Sequence, residues 1–346
     1  MTARRWINRP PGSNWGDFGD DDQRGRLNLL TPDRVKAAAA EVREGIVFCL
    51  SLPLDYPGGN YHDLQRRPPR LYPVTKNSSC CYNLRSDPAL TDVWCDDYVV
   101  LYTHGSTHWD ALAHVGTAFD ADGDGVSEIV YYNGFRAHED IVGPGYVCDD
   151  QRLSSPEEAY VGAQRLGVEN MAVSCVQGRG VMIDLHSRYA RQRHFVGYDD
   201  LMHICEVDNI VVEEGDIVCF HTGLADALLK LKRKPDLDTL ENSFSVLDSR
   251  DRRLLRWVEE SGLSAIVADN FAVEGVPAKP DGLATCAEPL HELCIVKLGV
   301  HIGELWHLTE LNDWLKANGR SRFMLTAPPM RLPGAVGSPV TPVATV

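Results

Sequence analysis

The strongest constraint on the fold is an alternation of short apolar runs with stretches of helical periodicity. Residues 180–185 (Gly-Val-Met-Ile-Asp-Leu) form a buried-type apolar run. Residues 215–222 read as a strand entered from a turn, and residues 265–268 as a strand ending at Asp269-Asn270. Helical patterns fall between and around them, at 199–207 and at 248–261, where the pattern is amphipathic. Upstream, Thr31-Pro32 is an N-cap and N1 pair that opens a helix over 33–44, ended by Gly45. Strands are expected at 46–54 and 129–132, and helices at 156–173, 289–298 and 309–317. Strands alternating with helices make the class α/β. With no internal repeat and no low-complexity linker, residues 1–346 read as a single domain. It carries a structured N-terminal arm (1–30) and an inserted loop region (55–92) rich in Pro, Arg, Asn and Ser, of the length that loops reach when they act as lids or contact arms. The tail after Pro328 reads as loosely ordered.

Composition excludes several function classes. The chain carries a net charge of −15, which argues against the phosphate neutralisation that nucleic-acid binding needs. The basic runs at Arg66-Arg67 and at 230–234 are short and read as solvated faces. No stretch approaches the roughly 18 apolar residues of a membrane span. The N-terminus is basic but has no apolar segment behind it, so a secretory signal is not expected. The ten cysteines are scattered, with no CxxC pair. Cys175, Cys219 and Cys294 sit in apolar runs, where a thiol packs as a small hydrophobe. The expected setting is a reducing cytoplasm.

The chemistry is concentrated in residues 104–114, His-Gly-Ser-Thr-His-Trp-Asp-Ala-Leu-Ala-His. Three of the twelve histidines fall in these eleven residues, where even scattering would place about 0.4. Residues 98–102 (Tyr-Val-Val-Leu-Tyr) run into this segment as a strand. Gly105 and Ser106 then let the chain turn, so that His104, His108 and Asp110 can point into one pocket. Two imidazole nitrogens and a carboxylate oxygen suit zinc, and the carboxylate extends the choice to manganese. Three protein ligands leave a position open for water, whose pKa the ion lowers while it polarises a substrate carbonyl. His114, four residues past Asp110, is suited to general acid/base work.

The segment resembles the signature H-x-G-T-H-x-D-x-P-x-H of the cyclase-type metal hydrolases, which include bacterial kynurenine formamidase and isatin hydrolase. Every His, the Thr and the Asp match; Ser106 stands for the usual Gly and Leu112 for the usual Pro. The resemblance continues through Trp15-Gly16, Gly25 to Pro32, Tyr132-Asn-Gly134, Gly178 to Asp184, Gly215 to Val218 with Thr222-Gly223, Asp269 to Glu274, Pro289-Leu-His291 and Glu304-Leu305. It implies a compact α/β domain with a central mixed, barrel-like sheet flanked by helices, assembled as a homodimer or homotetramer. It also implies one or two zinc or manganese ions per subunit, with Asp110 bridging, Glu304 touching both ions and His291 binding the second. His114 would be the proton donor or acceptor. Without the resemblance, His291 reads as a core residue and Glu304 as a helix-start acid. Trp109, Trp15 and Tyr61 are candidate substrate-pocket walls.

Other signals are weaker. Asp120 to Gly125 has the D-x-D-x-D-G half of a calcium loop, but Tyr131 stands where a bidentate Glu is needed, and a solvated turn is the better reading. Gly178-Arg-Gly180 precedes a strand rather than following one, unlike a dinucleotide site. Ser79 and Ser187 lack a GxSxG setting, and nothing orients Cys286 against His291. The expected activity is hydrolysis of an amide C–N bond in a small molecule. The first candidates are an aryl formamide such as N-formylkynurenine, which belongs to tryptophan catabolism, and a cyclic amide such as isatin. A dienelactone-type lactone is the rival substrate, and a non-catalytic, metal-stabilised binding protein the rival class. The chain is longer than the compact formamidases, with the extra residues at 1–30 and 55–92.

Overall fold

The computed structural model describes residues 4–58, 66–76, 78–143, 161–234, 236, 241–280 and 286–346. Nine short strands build the central sheet: β1 (Val47–Cys49), β2 (His108–Asp110), β3 (Gln177–Asp184), β4 (Ile217–His221), β5 (Ala265–Ala268), β6 (His301–Glu304), β7 (Arg322–Thr326), β8 (Gly337–Pro339) and β9 (Val343–Thr345). Their order is β1-β9-β7-β3-β4-β5-β6-β2-β8. The run β3-β4-β5-β6 is parallel and every other pairing is antiparallel. The mixed sheet curls into a half-barrel with helices packed on it.

The period-two alternation of strands sorts the parallel run into two cores. Val181, Ile183, Val218, Phe220, Ile266, Ala268 and Ile302 face one core; Met182, Ile217, Cys219, Ala265 and Val267 face the other. The first is covered by α2 (Tyr198–Val207), α3 (Arg252–Glu260) and the segment 289–298. The second is covered by Leu311 and Leu315 of α4 (Thr309–Ala317), while α1 (Pro32–Ala39) packs along β3 and β7. Asp251 joins two elements: one carboxylate oxygen caps α3 at Arg253 N (2.8 Å), and the other accepts from Tyr198 N at the start of α2 (2.7 Å).

Several boundaries differ from those expected. The first helix stops at Ala39, where the amides of Glu41 and Val42 turn back to Ala38 O and Ala39 O (3.0 and 3.2 Å); beyond it the amides of Glu44 and Gly45 bond to the carbonyl of Val346 (3.1 and 2.7 Å). The tail expected to be loose supplies β8 and β9, and β9 is inserted between β1 and β7. The segment 289–298 is an α-turn, Pro289–His291, continued by a π-helix, Glu292–Leu298, that ends at left-handed Gly299. Of the helix expected at 156–173, the described part is helical only over Val168–Val173. Cys175 follows it, exposed rather than buried, with a left-handed backbone (φ 62°). Cys219 and Cys294 are buried as expected.

The N-terminal arm is docked on the body. Arg26 N donates to Gly299 O (2.8 Å), and the buried Arg26 guanidinium donates to Val258 O (2.8 Å). Gly25 lies so close to Gly299 that a Cβ there would stand 2.1 Å from the Gly299 carbonyl oxygen, and its φ is +56°. Both partners are backbone and cannot move aside cheaply. Gly25→Ala is therefore expected to destabilise the fold by more than about 2 kcal/mol, read as a lower midpoint in chemical denaturation. An unchanged midpoint would show that the arm docks independently of this contact.

Candidate metal centre

The centre is assembled where the parallel run meets β2. β2 is His108-Trp109-Asp110, so alternation puts His108 and Asp110 on one face and Trp109 on the other. Register aligns His108 with Glu304 of β6 on one side and Pro339 of β8 on the other, and Asp110 with Gly337. His104 arrives from the turn before β2. Thr107 fixes that turn, donating to Leu305 O and accepting from Leu52 N (2.9 Å). His291 comes from the α-turn on the same face.

The side chains converge on Asp110. Its Oδ1 lies 3.3 Å from His104 Nε2, 3.3 Å from His108 Nε2 and 3.8 Å from His114 Nε2. Its Oδ2 lies 3.8 Å from His291 Nε2, which is 3.3 Å from Glu304 Oε1; the other Glu304 oxygen is 3.7 Å from His108 Nε2. Asp110 thus belongs to two overlapping donor sets, His104–Asp110–His114 and His108–Asp110–Glu304, each with its ligand atoms within 4.8 Å of one another. His114 stacks on His104 with ring centroids 4.3 Å apart.

The donor chemistry fits a divalent cation. His104 Nε2, His108 Nε2 and both oxygens of Asp110 are buried with no hydrogen-bond partner, a costly arrangement unless something else satisfies them. The tautomers agree. His108 Nδ1 lies 2.7 Å from the carbonyl of Ser106, which can only accept, so Nδ1 carries a proton and Nε2, facing Asp110, is the nitrogen left for a cation. His291 Nδ1 donates in the same way to Glu274 Oε1 (2.7 Å). A Cβ at Gly337 would stand 2.2 Å from His104 Nε2, so only glycine leaves this cradle open.

The charges also call for a cation. Burial works to raise the pKa of Asp110, but His114, His108 and His104 hold it well below the carboxylate range. Burial likewise opposes ionisation of Glu304, and His291 overcomes it, holding the carboxyl down. Burial, then the neighbouring His114, pushes His104 well below its ordinary value, leaving it a neutral donor. Burial works against the imidazolium of His291 too, yet Glu274 and Glu304 raise its pKa well above the ordinary value. Two buried carboxylates face the centre, and without an ion a proton on His291 sits between them.

The five expected ligands, His104, His108, Asp110, Glu304 and His291, and the expected proton shuttle His114 thus fall in one cluster. The expected pocket walls do not. Trp109 is fully buried on the back of β2, donating to Ala327 O (2.9 Å) and packed edge-on against Trp306. Alternation therefore corrects its assignment from pocket wall to core. Trp15 is also core: it donates to Val296 O (2.7 Å) and packs against Trp6 and Phe119. Tyr61 lies outside the described residues. Glu274, inside the block Asp269 to Glu274, was not singled out from sequence. It is fully buried, accepting from the amides of Leu290 (3.2 Å) and His291 (2.9 Å) as well as from His291 Nδ1. Glu274→Gln can keep an amide oxygen on His291 Nδ1 only by turning its NH2 group onto the Leu290 amide, and it removes the carboxylate charge that polarises the ring. We expect about 10- to 100-fold weaker binding of zinc or manganese by titration calorimetry, with an unchanged circular dichroism spectrum. Wild-type affinity would show that Glu274 only caps the turn.

In the Asp120 loop, Asp120, Asp122 and Glu128 bring carboxylate oxygens within 4.8 Å of one another on a partly exposed turn. Asp120 spends both carboxylate oxygens on turn amides, at Gly123, Asp124 and Gly125, and the Arg136 guanidinium lies 2.7 Å from Glu128. Arg179, in the Gly-Arg-Gly stretch, forms a bidentate pair with buried Asp216 (2.8 and 3.1 Å). The ring nitrogen of His291 not facing Asp110 is taken by Glu274, and burial pushes the Cys286 thiol up.

The sequence model of the Cyclase family matches residues 50–275, about two thirds of the chain. The chain belongs to the cyclase family. A crystal structure described as a novel cyclase is 30% identical, covers 98% of this chain and 100% of its own, and superposes with a TM-score of 0.73. Isatin hydrolase A from Ralstonia solanacearum is 16% identical, covering 91% of this chain and 97% of its own, with a TM-score of 0.54. An isatin hydrolase bound to the product analogue thioisatinate is 14% identical, covering 92% and 98%, with a TM-score of 0.53. At those identities the isatin hydrolases share the cyclase fold. No curated protein matches the sequence. Among the described residues no helix is long and apolar enough to cross a membrane.

Proposed function

We propose that this cyclase-family protein is a metal-dependent hydrolase that cleaves the amide C–N bond of a small molecule. One observation carries the reading: four buried, unpartnered ligand atoms, His104 Nε2, His108 Nε2 and the two oxygens of Asp110, converge on one point. His104, His108, Asp110, His291 and Glu304 would hold one or two zinc or manganese ions. A divalent ion bound there supplies a Lewis acid for a carbonyl oxygen and makes a coordinated water acidic near neutral pH.

The rest is the work of the chain. Asp110 and Glu304 provide the negative charge that retains the cation, and Glu274 keeps His291 in the ligating tautomer. His114 is the member of the cluster open to solvent, so substrate approaches from its side. Its Nε2 would pass the proton released by the attacking water to the leaving nitrogen. Water's oxygen joins the carbonyl carbon, the C–N bond breaks, and the products are a carboxylic acid and an amine. An aryl formamide such as N-formylkynurenine, an intermediate of tryptophan catabolism, and a cyclic amide such as isatin are the first candidates. The isatin hydrolases on the same fold support the second by analogy. A dienelactone-type lactone is opened by the same attack. We place the reaction in the cytoplasm, where scattered thiols stay reduced.

The test is metal analysis of the purified protein, followed by turnover of N-formylkynurenine, isatin and a dienelactone before and after chelation and restoration of zinc or manganese. Hydrolysis that is lost on chelation and restored by the ion is expected for at least one substrate. Bound metal with no turnover of any of them would favour a metal-stabilised binding protein.

A further inference from the structure

Arg66 lies beside the metal loop, and the hydrolytic scheme leaves it unused. One guanidinium nitrogen donates to the carbonyl of His104 (3.0 Å), and the group sits over the ring of Phe271, 5.7 Å from its centroid. Both residues are half-buried. Among the described residues no carboxylate lies within ion-pair distance of Arg66, and the His104 carbonyl is its only hydrogen-bond acceptor. Two buried arginines elsewhere are treated differently. Arg26 spends its donors on the carbonyls of Val258, Glu259 and Leu263, and Arg179 on the carboxylates of Asp216 and Glu213. Arg66 commits one nitrogen and leaves the rest of its fork unpaired, although the chain holds 49 acidic residues that could supply a partner. A partly desolvated cation without acceptors is costly.

Its position ties it to the centre. His114 stacks on the ring of His104 and Arg66 holds the carbonyl of the same residue. His104 thus has the proton carrier on one side and a fixed positive charge on another. Burial acts first on the imidazoles of His104 and His108, against protonation, and the charge of Arg66 acts the same way, although Asp110 outweighs both at His108.

We propose that Arg66 is a specificity-determining residue that receives a carboxylate of the substrate, so that the amides cleaved here are anionic rather than neutral. The inference rests on the hydrolase reading above. A carboxylate fits the planar fork of a guanidinium through two parallel hydrogen bonds. Phe271 under its face and the His104 carbonyl at one nitrogen hold the fork in place, so little freedom is lost when an anion docks. A fixed positive charge at this point also offsets the repulsion that a chain of net charge −15 exerts on an anionic substrate.

Formanilide and the anions 2- and 3-formamidobenzoate share the scissile bond and differ by one carboxylate. With the zinc-loaded protein, Arg66→Gln is expected to lower kcat/KM about 10- to 100-fold on at least one formamidobenzoate, mainly through KM, and less than about threefold on formanilide. Arg66→Lys keeps the charge but not the fork and should fall between. Both variants should keep the wild-type circular dichroism spectrum and metal content. An equal loss on all three substrates would make Arg66 a brace for the His104 turn or a donor to the oxyanion. That result overturns the proposal while the hydrolase reading stands. Absence of turnover with any of them counts against the hydrolase reading, and binding then decides the role of Arg66. In titration calorimetry the zinc-loaded wild type should bind a formamidobenzoate at least about tenfold more tightly than formanilide, and Arg66→Gln should lose that preference. A preference that survives in the variant belongs to the metal and refutes the proposal, as does equal binding by the wild type.

Discussion

Replacing Asp110 with Asn is expected to abolish retention of the divalent ion and to lower turnover by at least about 10³-fold. The substitution is isosteric, so β2 and its pairing with Glu304 and Gly337 are kept. What changes is charge and lone pairs. Asp110 Oδ1 faces His104, His108 and His114 while Oδ2 faces His291, so this one carboxylate belongs to both donor sets. An amide nitrogen in either position turns a donor toward the cation. Losing any single histidine removes one ligand from one set, whereas Asp110→Asn damages both. Two readouts separate this from misfolding. After dialysis, elemental analysis should find under about a tenth of an ion per subunit. Added zinc or manganese should raise the wild-type melting temperature, because a ligand bound only by the folded state stabilises it by ~2.7 kcal/mol at a hundredfold excess over Kd. The variant should show no such rise. If Asp110→Asn keeps both the thermal response and the turnover, the ion is held elsewhere and Asp110 is not at its centre.

The parts of this site differ in how they could be read from sequence. His104, His108, Asp110 and His114 are close in the chain, so composition alone reveals them. Glu304 and His291 become ligand candidates only through the register of β6 against β2 and the packing of one α-turn. Neither is a local property, which explains why a resemblance rather than periodicity pointed to them. Glu274 shows the same limit one layer further out, since its value lies in three hydrogen bonds to a turn that begins at Pro289. Trp109 is the reverse case. The alternation of His108-Trp109-Asp110 already sends the indole to the opposite face, but this holds only once the segment is known to be a strand. Three of the four parallel strands, β3, β4 and β5, were legible because each carries an apolar run buried on both faces; β6, His301-Ile-Gly-Glu304, carries none. β8 and β9 were not: Gly337-Ser-Pro and Val343-Ala-Thr are too short and too mixed to signal a strand, and sheet closure rather than propensity fixes them. The strand expected at 98–102 forms over Asp97–Val100, but its partner Arg70–Pro73 lies inside the segment expected to be a loop; every residue of that partner is exposed, so it has no buried face to reveal it.

His114→Ala is expected to lower turnover by about 10²- to 10⁴-fold, the range for loss of a general acid/base, while metal content stays at the wild-type level. The contrast with Asp110→Asn is the informative part, because geometry alone admits His114 as a ligand: its Nε2 lies 3.8 Å from Asp110 Oδ1, within one of the two donor sets. Two features argue for proton transfer instead. The His114 side chain is 26% exposed, whereas those of His104 and His108 are 10% and 1% exposed. A residue that must meet substrate needs that access, and a ligand does not. His104 and His108 also each have a buried Nε2 with no hydrogen-bond partner, a debt that His114 does not share among the described residues. Truncation to Ala leaves a gap beside the His104 ring, on which His114 stacks. Added imidazole that enters this gap should restore part of the activity without changing metal content. A ligand role predicts the opposite pair of results: the ion is lost with the side chain, and imidazole restores turnover only by restoring the ion. Elemental analysis of the variant, with and without imidazole, therefore assigns His114 to the metal or to the proton.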